Sequence, residues 1–154
     1  MTKKALIVDD SRLACKVLAK MLDTLGFISA EVYSAEEALE HLKHQKPDII
    51  FLDHTMSGMD GLELMKLIKA NQLTLKIPVM MYTAKEGAQY VDQAVALGAV
   101  EVLPKGLDKK HLVKALKKIG LISVIPTLDK ELSVKENGLT YFAPDDTLEL
   151  VAEL

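Results

Sequence analysis

The sequence predicts an α/β protein built on a five-stranded parallel sheet. Over about the first 120 residues, five short strand-like segments, of which the one at 28–33 is the weakest, alternate with five segments in which apolar residues recur at helical spacing. The runs at 5–8 and 49–52 are apolar at every position, which is typical of strands buried on both faces. Because each connection between strands is a helix, the strands must be parallel, and right-handed crossovers then place helices on both faces of the sheet.

The first half of the chain provides three strands and two helices. The strands are predicted at residues 5–8, 28–33 and 49–52. The first helix is capped by Ser11 and ended by Gly26, and its apolar face is predicted to include Leu13 and Val17. A capping-box pattern at 34–37 begins the second helix.

The second half of the chain continues the alternation. The remaining strands are predicted at residues 79–82 and 100–103, and the remaining helices at 61–71, 91–97 and 108–120. Asp108 is the predicted N-cap of the last helix, which Gly120 ends. The expected architecture is a flavodoxin-like doubly wound sheet of order 2-1-3-4-5, whose switch point lies between the first and third strands.

The chain is long enough for one domain with about 30 residues to spare. We expect a domain over residues 1–120 and a tail over 121–154 that is either a linker or a docked appendage. The tail is acidic, with 2 Lys and 7 Asp or Glu, a net charge of −5 against +2 for the preceding residues. A docked tail would lie on the lysines of the last helix, which are Lys110, Lys114, Lys117 and Lys118.

The composition indicates an ordinary globular protein of the cytoplasm. The net charge of −3 gives no general attraction to nucleic acid or to an anionic membrane, and we expect the chain to bind neither. Cys15 is the single cysteine, so no intramolecular disulfide forms, and its apolar helical setting predicts a buried thiol. The short apolar run after Lys4 is neither a signal peptide nor a membrane span.

A group of polar side chains follows the predicted strands. The group consists of Asp9, Asp10, Asp53, Thr83 and Lys105. Parallel strands bring their carboxyl ends to one edge of the sheet, so these side chains are expected to converge there. Three neighbouring carboxylates raise each other's pKa, and a hard divalent cation relieves the repulsion. Oxygen-only ligands with room left for water favour Mg²⁺ over a closed Ca²⁺ cage or a Zn²⁺ site.

The charges of this group predict its chemistry. Three carboxylates, one Mg²⁺ and one lysine sum to about zero, so the site can accept a phosphoryl group. The ammonium of Lys105 neutralises developing charge, and the hydroxyl of Thr83 donates a hydrogen bond. A carboxylate is a competent nucleophile in aspartyl-phosphate chemistry, and Asp53 is the predicted nucleophile.

Four short segments closely resemble the receiver domain of two-component response regulators. They are Val8-Asp9-Asp10-Ser11, Leu52-Asp53 with Gly58-Met59-Asp60-Gly61, Thr83-Ala84 and Leu103-Pro104-Lys105. The resemblance covers about residues 3–120, and its specificity lies in the whole set rather than in any one segment.

The resemblance implies that a partner histidine kinase, or a histidine phosphotransfer protein, transfers a phosphoryl group to Asp53. The implied Mg²⁺ ligands are Asp9, Asp10, Asp53 and the backbone carbonyl of Thr55, and the implied phosphate contacts are Thr83 and Lys105. No separate enzymatic activity is implied, only self-catalysed phosphoryl acceptance and hydrolysis that switch the binding of a downstream effector. In this family the fourth and fifth helices commonly form the output or dimer surface, so a homodimer through them is also expected.

Three residues depart from the family pattern. Ser57 and Gly106 stand where prolines are usual, the second of them in a cis bond, and Val102 stands where many members carry an aromatic switch residue. A cis bond before a non-proline residue costs about 2.5–4 kcal/mol, so the backbone at Lys105 is expected to differ from the family. Without a ring at position 102, the signal is expected to pass through the contacts of Thr83 and the lysine.

Two other classes of protein share parts of this pattern. A haloacid dehalogenase-like phosphohydrolase would also use Asp53 as nucleophile, but Thr55 occupies the position of its acid/base carboxylate and cannot act as a general acid. A flavodoxin needs a phosphate loop rich in Ser, Thr and Gly after the first strand, where Asp9 and Asp10 would repel the phosphate. His54 has no metal-binding spacing and is expected to be a solvent-facing loop histidine.

Overall fold

The structure is a computed structural model that describes residues 2–84, 88–106 and 108–122. The strands are β1 (Lys3–Val8), β2 (Phe27–Val32), β3 (Ile49–Leu52), β4 (Val79–Thr83) and β5 (Glu101–Pro104). The helices are α1 (Arg12–Thr24), α2 (Ala35–His44), α3 (Gly61–Ala70), α4 (Ala88–Ala96) and α5 (Lys109–Lys118). Each predicted element is present, with its ends shifted by only a few residues.

Adjacent strands of the sheet are parallel, and their order is β2-β1-β3-β4-β5. This order confirms the predicted flavodoxin-like doubly wound fold. β1 lies between β2 and β3, and Val8 is level with Leu52 in the pairing of β1 with β3. The residues that follow these two strands are therefore brought side by side.

The sheet buries apolar side chains on both faces, which explains its unbroken apolar runs. On one face, Leu6, Ile50 and Val79 belong to a cluster that also contains buried side chains of α2, α3 and α4. The alternate residues Ile7 and Phe51 point to the opposite face and are also fully buried. α1 contributes no residue to that cluster and packs against β1 and β2.

Side-chain caps begin α1 and α2 at the predicted serines. The Ser11 hydroxyl accepts a hydrogen bond from the amide of Ala14 at 3.2 Å. The Ser34 hydroxyl likewise accepts from the amide of Glu37 at 3.0 Å. The Glu37 carboxylate accepts from the amide of Tyr33 at 2.8 Å, one residue before the cap. The capping box predicted at 34–37 is therefore formed in a modified way: the Glu37 carboxylate accepts from the amide of Tyr33 and not from the amide of the cap residue Ser34.

The apolar face of α1 is narrower than the sequence predicted. Cys15, Leu18 and Leu22 are buried, whereas Leu13 and Val17 are 75% and 46% exposed. At about 100° per residue, positions 13 and 17 lie about 160–200° around the helix from Cys15. The prediction that Leu13 and Val17 belong to the apolar face was wrong. The residues of α1 that face the sheet are those on the side of Cys15, Leu18 and Leu22.

The chain divides into two units, residues 1–106 and 107–154. The first unit contains the sheet and α1 to α4. In the second unit the structure describes α5, which begins after its predicted N-cap Asp108 and has Leu112, Val113 and Leu116 buried. Residues 123–154 lie outside the described part, so the domain boundary at 120 and the docking of the tail stay predictions. Within the described ranges, no helix has the length and apolar character needed to cross a membrane.

Candidate functional site

Asp9 and Asp53 lie side by side at the carboxyl ends of the central strands. The amide of Asp9 donates a hydrogen bond to the carbonyl oxygen of Val32 in β2 at 3.1 Å. The amide of Asp53 donates to the carbonyl oxygen of Val8 in β1 at 2.9 Å. The ladder thus continues one residue past each strand and fixes the backbone of both acids. Asp9 is 0% exposed and Asp53 is 3% exposed.

Asp10 completes a cluster of three carboxylates. One oxygen from each of Asp9, Asp10 and Asp53 lies within 4.8 Å of the other two. Asp10 is exposed, whereas the other two residues are buried. The cluster is therefore open to solvent on the side of Asp10, where water or a phosphodonor can enter.

Lys105 brings a positive charge to this cluster. Its Nζ atom is 2.8 Å from Oδ2 of Asp9 and 3.4 Å from Oδ2 of Asp53. Its backbone amide donates to the carbonyl oxygen of Thr83 at 3.0 Å, which holds the end of β5 beside the end of β4. The described residues contain no cis peptide bond, and Gly106 has a φ of +84°, in the left-handed region that favours glycine.

Burial and charge determine how the site ionises. Burial raises the pKa of Asp53 to about 6, the negative charge of Asp9 acts in the same direction, and Lys105 opposes both. Burial alone would lower the pKa of Lys105, but the hydrogen bonds and charges of the two acids outweigh it and raise that pKa. At neutral pH the site therefore holds an ionised Asp53 beside a charged ammonium.

The backbone of the acceptor is supported by α3. The amide of Gly61 donates to the carbonyl oxygen of His54 at 2.8 Å. A Cβ atom on Gly61 would overlap the carbonyl oxygen of Asp53, so only glycine lets α3 begin this close to β3. The helix starts with a complete capping box between Asp60 and Glu63, which the sequence prediction missed although the Asp-x-x-Glu spacing is present.

Backbone amides orient two of the carboxylates. The amide of Ser11 donates to Oδ1 of Asp9 at 2.9 Å, and the amide of Ser57 donates to Oδ2 of Asp10 at 3.2 Å. A proline at position 57 would have no N–H to donate. The departure at Ser57 therefore adds a contact to the site. The sequence prediction missed it because a main-chain donor leaves no side-chain pattern.

The two predicted threonines occupy different environments. Thr83 is the last residue of β4 and is 2% exposed. Thr55 lies in the loop after β3 and is exposed. The structure thus brings together Asp9, Asp10, Asp53 and Lys105, with Thr83 at the end of the neighbouring strand. The roles assigned to these residues stay predictions.

His54 is not the solvent-facing histidine that the sequence predicted. Its ring packs against the ring of Tyr90 in α4, with 4.5 Å between centroids and 40° between planes. His54 is half-buried, and Tyr90 is only 7% exposed. The prediction was wrong because the position of α4 over the β3–α3 loop depends on tertiary packing.

The carboxylate cluster has the chemistry of a site for a hard divalent cation. Its donors are all carboxylate oxygens, they come from neighbouring positions, and two of the three residues are buried. The ammonium of Lys105 contacts both buried acids, and among the described residues it balances part of their charge. The remaining negative charge favours a cation, and oxygen donors without His or Cys suit Mg²⁺ better than Zn²⁺.

This fold, with acids and a lysine at the carboxyl edge of its sheet, is that of the receiver domains of signalling proteins. The sequence matches the response regulator receiver domain over residues 5–117, and the chain belongs to that family. It is therefore a two-component response regulator receiver, as the resemblance implied.

Individual relatives agree with this assignment. The chain is 32% identical over 117 residues to the phosphate regulon transcriptional regulatory protein PhoB of Pseudomonas aeruginosa, covering 76% of this chain and 51% of that protein. It is 35% identical over 113 residues to the transcriptional regulatory protein ZraR of Escherichia coli, covering 73% of this chain and 25% of that protein. The chain thus spans about half of the length of the first relative and a quarter of the length of the second.

A solved structure shows the same fold. The chemotaxis protein CheY4 of Vibrio cholerae superposes with a TM-score of 0.73 at 25% sequence identity. The superposition covers 77% of this chain and 99% of that one. The receiver fold therefore accounts for the whole of CheY4 and for the described sheet of this protein.

Proposed function

We propose that Asp53 accepts a phosphoryl group from a phosphohistidine of a histidine kinase or a histidine phosphotransfer protein. The observation that carries this proposal is the contact of Lys105 with both buried carboxylates, beside the exposed acid Asp10. This arrangement holds a nucleophile, a compensating cation and an opening for the donor within a few Å.

The transfer exchanges one bond to phosphorus for another. An oxygen of ionised Asp53 attacks the phosphorus, the new O–P bond forms as the N–P bond of the donor histidine breaks, and the leaving imidazole takes up a proton. Lys105 neutralises charge on the phosphoryl oxygens, and Thr83 donates a hydrogen bond to them. Asp9, Asp10, Asp53 and the backbone carbonyl of Thr55 would hold a Mg²⁺ ion, which would supply charge neutralisation for the phosphoryl group.

The ionisation of Asp53 favours this reaction near neutral pH. With its pKa raised to about 6, the carboxylate is mostly ionised at pH 7 yet more basic than an ordinary aspartate. Burial of Asp53 leaves the side of Asp10 as the route by which water can reach the acyl phosphate that forms. A slow self-catalysed hydrolysis then returns the protein to its starting state.

The competing assignment, a haloacid dehalogenase-like phosphohydrolase, is not favoured. Such an enzyme needs a second carboxylic acid two residues after the nucleophile, and here that residue is Thr55. The family match over residues 5–117 points the same way. We therefore propose no substrate turnover beyond phosphoryl acceptance and hydrolysis.

The output is proposed to be a change in partner binding. A receiver acts between a histidine kinase and a downstream effector, and a homodimer through α4 and α5 is one form that this output can take. On α4, Val91 and Val95 are one turn apart and are 38% and 51% exposed, as expected of a contact surface.

The relatives named as transcriptional regulators are longer than this chain, and no nucleic-acid contact is proposed for it. A cytoplasmic location is proposed because the reaction uses an intracellular kinase and Cys15 is a free thiol.

The test is a phosphorylation assay read by intact mass. The protein is incubated with acetyl phosphate and Mg²⁺, and we expect one labile phosphoryl adduct. Asp53→Asn removes the nucleophile and should abolish the adduct, whereas Asp23→Asn, a change at an exposed position of α1, should leave it unchanged. An adduct of equal yield on Asp53→Asn would contradict the assignment.

A further inference from the structure

Tyr90 is a buried residue in contact with the loop that follows the acceptor, and the reaction scheme does not use its hydroxyl. It lies on the inner side of α4, is 7% exposed and belongs to the apolar cluster under the sheet. Its ring packs on the ring of His54, the residue that directly follows Asp53. Tyr90 therefore connects the acceptor loop to α4 through one side-chain contact.

The hydroxyl of Tyr90 is an unsatisfied donor. Among the described residues, the buried hydroxyl oxygen of Tyr90 has no hydrogen-bond partner. Burial raises the pKa of this phenol, and the negative charges of Asp53 and Asp60 raise it further, so the hydroxyl stays protonated and lies within the field of the acceptor. A buried donor without an acceptor is unfavourable, and an acceptor that appears nearby would relieve this cost.

Phosphorylation of Asp53 creates such acceptors. A phosphoryl group carries three strongly accepting oxygens and added negative charge. We propose that Tyr90 is a positioning residue of the switch, whose hydroxyl donates a hydrogen bond to the phosphoryl group on Asp53 and thereby couples phosphorylation to α4. This inference rests on the proposed function of Asp53, and it adds a contact that the reaction scheme lacks.

The coupling acts through packing as well as through the hydrogen bond. Tyr90 cannot move independently of His54, because the two rings are in contact, and it cannot move independently of α4, to which its backbone belongs. A hydrogen bond to the acceptor therefore holds the first turns of α4 against the β3–α3 loop. Val102, where a ring would otherwise carry the signal, is a small side chain packed against the same cluster.

The test separates the hydroxyl from the ring. Tyr90→Phe keeps the contact with His54 and removes only the donor. Tyr33→Phe is the matched control, because it removes a hydroxyl that bonds Glu31 at 3.1 Å. All three proteins are treated with Mg²⁺ and beryllium fluoride, a stable analogue of the phosphoryl group. Amide hydrogen exchange is then measured across residues 88–96.

In the wild type and in Tyr33→Phe, we expect beryllium fluoride to slow exchange across α4 by about fivefold. In Tyr90→Phe the slowing should fall below about twofold, and the protein should unfold at no lower temperature, because the lost hydroxyl has no hydrogen-bond partner among the described residues in the starting state. With ¹³Cζ-labelled tyrosine, the signal of Tyr90 should move on addition of the analogue, while that of Tyr33 should not.

Equal slowing of exchange in the wild type and in Tyr90→Phe would overturn the inference. It would also be overturned if Tyr90→Phe and Tyr33→Phe lost the slowing to the same extent. The mass assay distinguishes this failure from failure of the proposed function. If the wild type and Tyr90→Phe both form the adduct with acetyl phosphate but α4 exchange is equal, only the coupling through Tyr90 is wrong. If the wild type forms no adduct, the role of Asp53 is wrong, and the inference falls with it.

Discussion

The two halves of the sheet's carboxyl edge hold their charges in different ways. In the half formed by β1 and β3, Asp9 and Asp53 are fixed by main-chain hydrogen bonds that extend the ladder past each strand. In the half formed by β4 and β5, Lys105 is held by one such bond, and its charge sits at the end of a long side chain. The backbone of the sheet thus fixes the positions of the two acids. The ammonium of Lys105 instead depends on the conformation of its long side chain to contact them.

This difference indicates where each part of the function resides. Groups that must hold a nucleophile and a metal benefit from rigid positions. Groups that must respond to a new charge need a side chain or a helix that can change partners. We therefore expect the acidic half to hold the nucleophile and the metal, and we expect Lys105 and the neighbouring helix α4, which carries Tyr90, to respond to the new charge.

The largest effect is expected from removing the cation that joins the two halves. Lys105→Met leaves the buried carboxylates of Asp9 and Asp53 without their counter-ion, which should cost about 3 kcal/mol of unfolding free energy in metal-free buffer. Urea unfolding with and without Mg²⁺ measures this, and added Mg²⁺ should recover part of the loss. Lys16→Met is the matched control, because the Lys16 ammonium that pairs with Glu31 is largely exposed and its removal should cost much less. Equal losses in the two variants would show that the buried acids do not depend on Lys105.

A smaller effect is expected from crowding the acidic half. Gly61→Ala places a methyl group against the backbone of Asp53 and His54, and should cost about 2–3 kcal/mol because α3 must move away. Gly26→Ala is the control: it meets no atom within 4 Å but has a φ of +89°, which should cost about 1–2 kcal/mol. Thermal unfolding ranks the two. A larger loss at Gly26 would mean that the close approach of α3 is not limiting.

The pH dependence of stability should report the burial of Asp53. Its folded-state pKa is raised from 3.8 to about 6, so the folded protein binds a proton more tightly than the unfolded chain. In metal-free buffer, stability should therefore fall as pH rises from about 4 to 6, by about 1–2 kcal/mol after allowance for solvent screening. Asp53→Asn should remove this slope, as measured by urea unfolding at several pH values. A slope of the same size in the variant would assign it to another group.

The smallest effect is expected at the serine that orients Asp10. Ser57→Pro removes the amide that donates to this carboxylate, and should weaken Mg²⁺ binding by about two- to fivefold, because the contact is exposed. Ser57→Ala keeps the amide and should bind Mg²⁺ as the wild type does. Calorimetric titration of both variants tests this. Weaker binding in Ser57→Ala would assign the effect to the hydroxyl instead.

The sequence predicted the fold and the acid cluster because both follow from local patterns and one topological rule. Unbroken apolar runs identified the strands, and parallel strands of this order necessarily place Asp9 beside Asp53. The resemblance to receivers added the histidine kinase as the phosphoryl donor and the backbone carbonyl of Thr55 as an expected Mg²⁺ ligand. None of these inferences required knowledge of how the helices pack.

The features that the sequence did not predict depend on packing or on main-chain atoms. The exposure of Leu13 and Val17 reflects which stripe of α1 meets the sheet. The contact of His54 with Tyr90 depends on the position of α4, and the bond from Ser57 to Asp10 uses an amide that every residue except proline has. Periodicity and motif spacing contain no information on these contacts.

The order of the strands along the chain has a consequence for biosynthesis. Asp9 and Asp53 belong to the first half of the sequence, whereas Lys105 is made much later. On the ribosome, β1 and β3 can pair before β5 exists, and their two acids then meet without the ammonium that compensates them. A divalent cation available in the cell can take its place until synthesis is complete. Refolding of the full chain is accordingly expected to be faster in MgCl₂ than in NaCl of equal ionic strength.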